Sequence, residues 1–121
     1  MKFTLDKKDR YVVIQPDVTR ITNDVAPDFK AELVLLNKEG YRNIICDLST
    51  VEYVDSSGLS ALIIGNRLCS DADGVFVLCA PTSGVHKLVE LAKLTEVFTI
   101  IPTVSESVDY ILLQELERDL R

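Results

Sequence analysis

The chain has 121 residues, with 13 Lys and Arg against 19 Asp and Glu, for a formal net charge of −6. At roughly 100–200 residues per domain this length suits one domain, 1–121, and the 47% of hydrophobic and 26% of charged residues leave enough apolar material for a core and exclude wholesale disorder. The acidic balance, with the basic residues scattered, argues against a nucleic-acid partner, because affinity for a phosphate backbone comes from clustered Lys and Arg.

In chain order, residues 2–5 and 11–15 alternate apolar and polar side chains across a charged turn, which predicts a β-hairpin with one buried face. Lys7, Lys8 and Arg10 in that turn are interleaved with Asp6 and Asp9 and read as a solvated turn, not a basic patch. These charges also leave no apolar block of signal-peptide length, so the expected location is the cytoplasm. After segment 16–24, Phe29, Leu33 and Leu36 recur at helical spacing, with Pro27 suited to the first turn and Gly40 to the stop. Residues 43–47 carry the apolar run Ile44, Ile45, Cys46, typical of a strand covered on both faces. Segment 48–55 leads into a second helix at about 57–71.

The alternation then continues. Residues 75–79 form a β-rich run, 83–94 place Val85, Leu88, Val89 and Ala92 on one helical face, and 98–101 give a last strand. The uncharged stretch 74–86 contains Pro81, Thr82 and Ser83 and is shorter than the roughly 18 apolar residues of a membrane span, so no membrane insertion is expected. Thr103 and Glu106 make a capping box before a final helix with Val108, Ile111 and Leu112 inward, and a charged tail from Glu115 to Arg121. The order ββαβαβαβα implies an α/β fold with a mixed, mainly parallel sheet of about five strands and four helices.

The most informative stretch is Val54-Asp55-Ser56-Ser57-Gly58-Leu59-Ser60-Ala61-Leu62, which passes from a strand-like segment (Glu52, Tyr53, Val54) into the second helix. Either serine suits a helix cap, since its oxygen can accept a bond from an orphan amide of the first turn. One hydroxyl suffices for that, however, and the glycine with Ser60 and Ala61 is expected to leave the helix start open. A phosphoryl group there would meet backbone amides and the positive end of the helix dipole.

At these residues the chain resembles the anti-anti-sigma factors, the bacterial anti-sigma factor antagonists of the STAS fold. The resemblance rests on Ile44-Ile45-Cys46-Asp47-Leu48-Ser49, on Val54-Asp55-Ser56-Ser57-Gly58-Leu59, on Val75-Phe76-Val77-Leu78-Cys79 and on the helix at 85–94, and covers nearly the whole chain. It implies a single STAS domain without catalytic activity or a cofactor of its own. It implies that Ser56 is phosphorylated by a partner anti-sigma factor, itself a serine kinase that brings ATP and Mg²⁺, with Ser57 as neighbour and helix cap; a serine phosphatase would reset the switch. The unphosphorylated form would bind the kinase and release the sigma factor. The family commonly carries Gly-x-x-Asp after the second strand. Here that region reads Gln15-Pro16-Asp17-Val18-Thr19-Arg20-Ile21-Thr22-Asn23-Asp24, which leaves Asp17, Thr19, Asn23 and Asp24 all as candidates for the kinase contact, and each also suits an ordinary turn.

A docking surface is expected to run from segment 16–24 across Asp55, Ser56, Ser57, Gly58 and Ser60 to Ile64, which with Leu68 lies on the second helix away from the Leu59, Leu62, Ile63 face. The alternative within the fold is a structural STAS subunit that docks on a membrane lipid or anion transporter and uses the serine as a contact. Asp47 and Asp55 also suggest a receiver-type acidic pocket holding Mg²⁺, but that needs an acidic pair after the first strand, where this chain has Leu5-Asp6-Lys7; Asp55 is expected to fix the turn before the helix. Cys46, Cys69 and Cys79 lack CxxC spacing and suit buried thiols of a reducing compartment. His86, the only histidine, supports neither a metal site nor a catalytic triad.

Overall fold

A computed structural model describes residues 2–121. The elements in order are β1 (Phe3–Lys7), β2 (Val12–Pro16), β3 (Arg20–Ile21), α1 (Ala26–Lys38), β4 (Ile44–Asp47), β5 (Tyr53–Val54), α2 (Ser56–Asp71), β6 (Phe76–Cys79), α3 (Ser83–Leu91), β7 (Thr99–Ile101) and α4 (Val104–Asp119). Five strands form one sheet in the order β1-β2-β4-β6-β7, while β3 and β5 make a separate two-stranded ribbon. Only β1 runs antiparallel to its neighbour, with Lys7 opposite Val12 across the hairpin; β2, β4, β6 and β7 are parallel. This is the expected mixed sheet with four helices. β3 carries no strand signal in the sequence, because two residues are too few to show a period.

The period of two in the strands divides the sheet's side chains between two faces. Val12, Ile14, Ile44, Cys46, Phe76 and Leu78 point to the face covered by α1, α2 and α3, where Phe29, Leu33, Leu36, Ala61, Leu62, Val85 and Val89 complete one large core. Ile45, Val77 and Cys79 point the other way, toward Ile111, Val104 and Val108 of α4. The helix α1 stops where expected: Gly40 takes a left-handed φ of 100°, and the amide of Tyr41 donates to the Leu36 carbonyl at 3.0 Å, closing the turn in a way that favours glycine.

Two expectations for α4 need correction. Val108 and Ile111 do face inward, but Leu112 is 45% exposed, because the buried line runs through Ser107, Ile111 and Glu115 at spacings of four and puts residue 112 about 100° away. Glu115 is also no part of a solvated tail. It is buried, and its Oε1 accepts from Arg10, Arg42 and Arg118 at 3.4, 3.2 and 3.1 Å. The capping threonine at the other end is as expected, with the Thr103 hydroxyl accepting from the Glu106 amide at 3.1 Å.

Candidate functional site

The chain enters α2 through Asp55, whose backbone is extended (φ −91°, ψ −171°) and whose carboxylate accepts from the Gly58 amide. That makes Asp55 the N-cap, which corrects the assignment of the cap to Ser57. An aspartate caps as well as a serine and adds a negative charge at the positive end of the helix dipole. Its Oδ1 takes both the Gly58 amide at 2.9 Å and the Ser57 hydroxyl at 2.8 Å. Its Oδ2 accepts from the Asn23 amide at 3.0 Å. These bonds stabilise the ionised form, with the Gly58 amide and the Ser57 hydroxyl contributing most, and hold the Asp55 carboxyl below its usual pKa of 3.8.

Ser56 occupies the first helical position and is exposed, while Ser57 is half-buried. Gly58 is buried, which corrects the expectation that it keeps the helix start open to a partner. A Cβ on residue 58 would lie 2.3 Å from the Ile21 carbonyl oxygen and 3.2 Å from Val54 Cβ. The glycine thus lets the first turn of α2 sit directly on the β3-β5 ribbon. That contact is reinforced by the Asp55 amide, which donates to the same Ile21 carbonyl at 3.2 Å. The ribbon is parallel, with Arg20 opposite Tyr53 and Ile21 opposite Val54.

The loop candidates separate. Asn23 is joined to Asp55 through its amide, so the start of α1 and the start of α2 share one carboxylate. Asp24 accepts from the Thr22 hydroxyl, which holds its own carboxyl below the usual range. Thr19 supplies its carbonyl to the amides of Glu52 and Tyr53 at 2.7 and 3.3 Å, a ribbon contact. Asp17 is engaged elsewhere, accepting from the Thr4 hydroxyl of β1. Ser60 is exposed and lines, with Ser57, Ala61, Ala26, Pro27 and Lys30, a cavity of about 130 Å³ between α1 and α2. Ile64 and Leu68 are half-buried, a partly exposed second face as expected.

Two features at this edge were not singled out in the sequence. The guanidinium of Arg20 stacks over the exposed ring of Tyr53 at 4.5 Å, a cation–π contact, and Lys30 borders the cavity beside Ser57. Nothing local marks the first, since the two residues lie far apart in the chain and meet only through the short ribbon. Asp55, Ser56 and Ser57 are all residue types that cap helices, so the sequence alone does not say which of them caps α2.

Of the other titratable groups, Asp47 accepts from the Ser49 amide at 3.0 Å in the turn after β4. The three cysteines are free and buried, and burial pushes the Cys69 thiol up to about 12. His86 Nδ1 lies 2.9 Å from Glu90 Oε1 along one face of α3, a surface pair. No helix among the described residues is long and apolar enough to cross a membrane.

Residues 3–107 match the family model of the STAS domain. Among sequence relatives, BtrV of Bordetella bronchiseptica, named as an anti-sigma factor antagonist, is 27% identical over 83% of this chain and 85% of its own. Among solved structures, TM1081 of Thermotoga maritima, named likewise, superposes with a TM-score of 0.83 at 26% identity, covering 90% of this chain and 93% of that one. The anti-sigma factor antagonist SpoIIAA, solved in its unphosphorylated form, gives a TM-score of 0.79 at 20% identity over 90% of this chain and 95% of its own; the phosphorylated form from Bacillus gives 0.71 at 21% over 90% and 98%. The SpoIIAA likeness is one of fold.

Proposed function

The chain belongs to the STAS domain family, and from that premise we propose that it is an anti-sigma factor antagonist switched by phosphorylation of Ser56. The observation that carries this reading is the placement of Ser56: exposed on the first turn of α2, one residue after a carboxylate that already caps the helix. Its hydroxyl is not needed to hold the fold, so it is free to be modified. Unphosphorylated, the protein docks on an anti-sigma serine kinase through the edge formed by Asn23, Asp24, Ser56, Ser60 and Ile64, and the sigma factor is released. The kinase brings ATP and Mg²⁺, and a serine phosphatase reverses the modification.

The physics of the switch is local. A phosphoserine adds about −1.5 to −2 charges beside Asp55, in a chain already at −6. Burying that group at an interface without an arginine partner costs desolvation and repulsion, and a loss of about 2.8 kcal/mol lowers affinity a hundredfold.

Intact-mass spectrometry of the protein isolated from its own cells tests the reading. One phosphoryl group, removed by phosphatase and missing from Ser56→Ala, is the expected result. Ser56→Ala should change stability by less than about 0.5 kcal/mol, as exposed substitutions do. No phosphoryl group under any growth condition would discard the switch in favour of a structural subunit docking on a membrane transporter.

A further inference from the structure

We infer that Asp55 determines which of the two adjacent serines is phosphorylated, by holding the Ser57 hydroxyl as a hydrogen-bond donor and leaving Ser56 as the free nucleophile. This rests on the reading of the protein as a kinase substrate and goes beyond it, since a sequence of two consecutive serines presents two chemically identical acceptors one residue apart. The transfer itself is the same at either: the serine Oγ bonds to the γ-phosphorus of a nucleoside triphosphate, the bond from that phosphorus to the β,γ-bridging oxygen breaks, the diphosphate leaves, and the hydroxyl proton passes to a base of the kinase. What differs is what each hydroxyl must give up first.

Ser57 Oγ donates to Asp55 Oδ1 at 2.8 Å, and the residue is half-buried against the α1-α2 cavity. The carboxylate cannot swing away with it, because its two oxygens are pinned by the amides of Gly58 and Asn23 at 2.9 and 3.0 Å. Phosphorylating Ser57 therefore breaks a bond to a charged acceptor and sets a dianion against a fixed carboxylate. Ser56 carries no such bond and faces solvent. The opposite role, Asp55 as the base that activates Ser57, would need a carboxylate of raised proton affinity, and the three donors lower it.

The test is phosphosite mapping of the full chain from its own cells, with fragment ions that separate residue 56 from residue 57. Wild-type protein should carry its phosphate on Ser56. Asp55→Asn keeps one oxygen that can accept from Gly58 and Ser57 but loses the charge and the acceptor for the Asn23 amide, and its Ser57 share should rise only modestly. Asp55→Gly removes the acceptor while glycine remains a tolerated cap; the Ser57 share of the phosphate should rise at least about tenfold, which corresponds to about 1.4 kcal/mol, near the low end for a hydrogen bond to a charged group. Phosphate confined to Ser56 in a folded Asp55→Gly protein overturns the inference but not the switch. Phosphate on Ser57 in the wild type overturns it as well, whereas no phosphate in any form removes the switch itself. Should Asp55→Gly fail to fold, Ser56→Ala decides: its Ser57 stays held by Asp55 and should remain unmodified, and phosphorylation there to the wild-type extent refutes the role of Asp55.

Discussion

On one face of the sheet, Ile44, Cys46, Phe76 and Leu78 are covered by three helices whose buried residues form a single cluster; on the other, Ile45, Val77 and Cys79 are covered by α4, with Ile111 as its one fully buried apolar side chain. The three-helix face ends at the segment that carries Ser56, and along α2 the packing is tight enough to exclude a single methyl group: at its start Gly58 lies on Ile21, and in its middle the ring of Phe76 approaches Gly65 so closely that a Cβ would lie 2.7 Å away. The α4 face is anchored differently. Its far end is fixed by the buried Glu115 carboxylate among three guanidiniums, while Leu112, Leu113, Leu116 and Leu120 stay exposed. A rigid apolar floor thus lies under the site that must hold a fixed geometry, and a looser cover lies where no candidate residue sits.

The contrast is measurable first in the cores. Leu62 and Ile111 are both fully buried, and truncation of such residues to alanine costs about 2–5 kcal/mol depending on how far the surroundings can collapse. Leu62→Ala should fall in the upper half of that range, because α2 is held between α1 and the sheet and cannot move into the cavity. Ile111→Ala should fall in the lower half, since α4 is free to settle onto the sheet from its open side. Denaturant midpoints at constant m-value give both numbers. Equal losses would mean that the two faces are equally rigid.

What the sequence revealed of this arrangement follows the length of each signal. The continuous apolar run Ile44 to Cys46 and the helical stripe Phe29, Leu33 and Leu36 each span enough chain to show a pattern, and the structure has β4 and α1 where expected. Of the ribbon, β5 falls in the strand-like segment 52–54, but the two residues of β3 are below any period, yet the ribbon supports Gly58 and brings Arg20 onto Tyr53. Hydrophobicity alone points Leu112 inward and Glu115 outward, whereas the line of burial on α4 follows a carboxylate with three arginine partners, two of which, Arg10 and Arg42, lie more than 70 positions away in the chain. The turn at Asp55 and Ser56 into α2 was legible because it lies in one contiguous stretch of sequence. Which of the neighbours caps the helix was not, since Asp and Ser have equal claims on that role until the geometry distinguishes them.

A smaller effect is expected at the polar anchor. Glu115→Gln keeps the size and one acceptor oxygen but removes the charge that three guanidiniums share. Because Arg10, Arg42 and Arg118 are partly exposed, with side-chain exposures of 51, 36 and 24%, water takes over much of their solvation, and the loss should be about 1–2 kcal/mol, not the 3–5 of a fully buried pair. Guanidinium chloride and urea titrations should differ for the wild type and agree more closely for the variant, since the salt screens the cluster that the variant lacks. Phosphorylation of Ser56 should be unaffected. Loss of the modification in Glu115→Gln would show that the two ends of the sheet are coupled and that the division drawn between them is wrong.

The smallest effect is expected on the outer side of α4. Leu112, Leu116 and Leu120 recur every four residues and, with Leu113, are 45 to 77% exposed, forming a strip that lies beyond the segment matched by the family model, which ends at residue 107. Single exposed leucines need no explanation, but four on one helix are enough to ask whether the strip is covered in solution. If it faces water, Leu116→Ser removes little burial and should shift stability by less than about 0.5 kcal/mol, with a melting midpoint that is the same at low and high protein concentration. Association through the strip would reveal itself in two linked ways: the wild-type midpoint would rise with concentration, because whatever binds only the folded form stabilises it by mass action, and Leu116→Ser would abolish that rise while losing well over 0.5 kcal/mol at the higher concentration. A flat midpoint in both proteins leaves α4 as the thin cover described above, held by Ile111 and the Glu115 cluster and by nothing on its outer side.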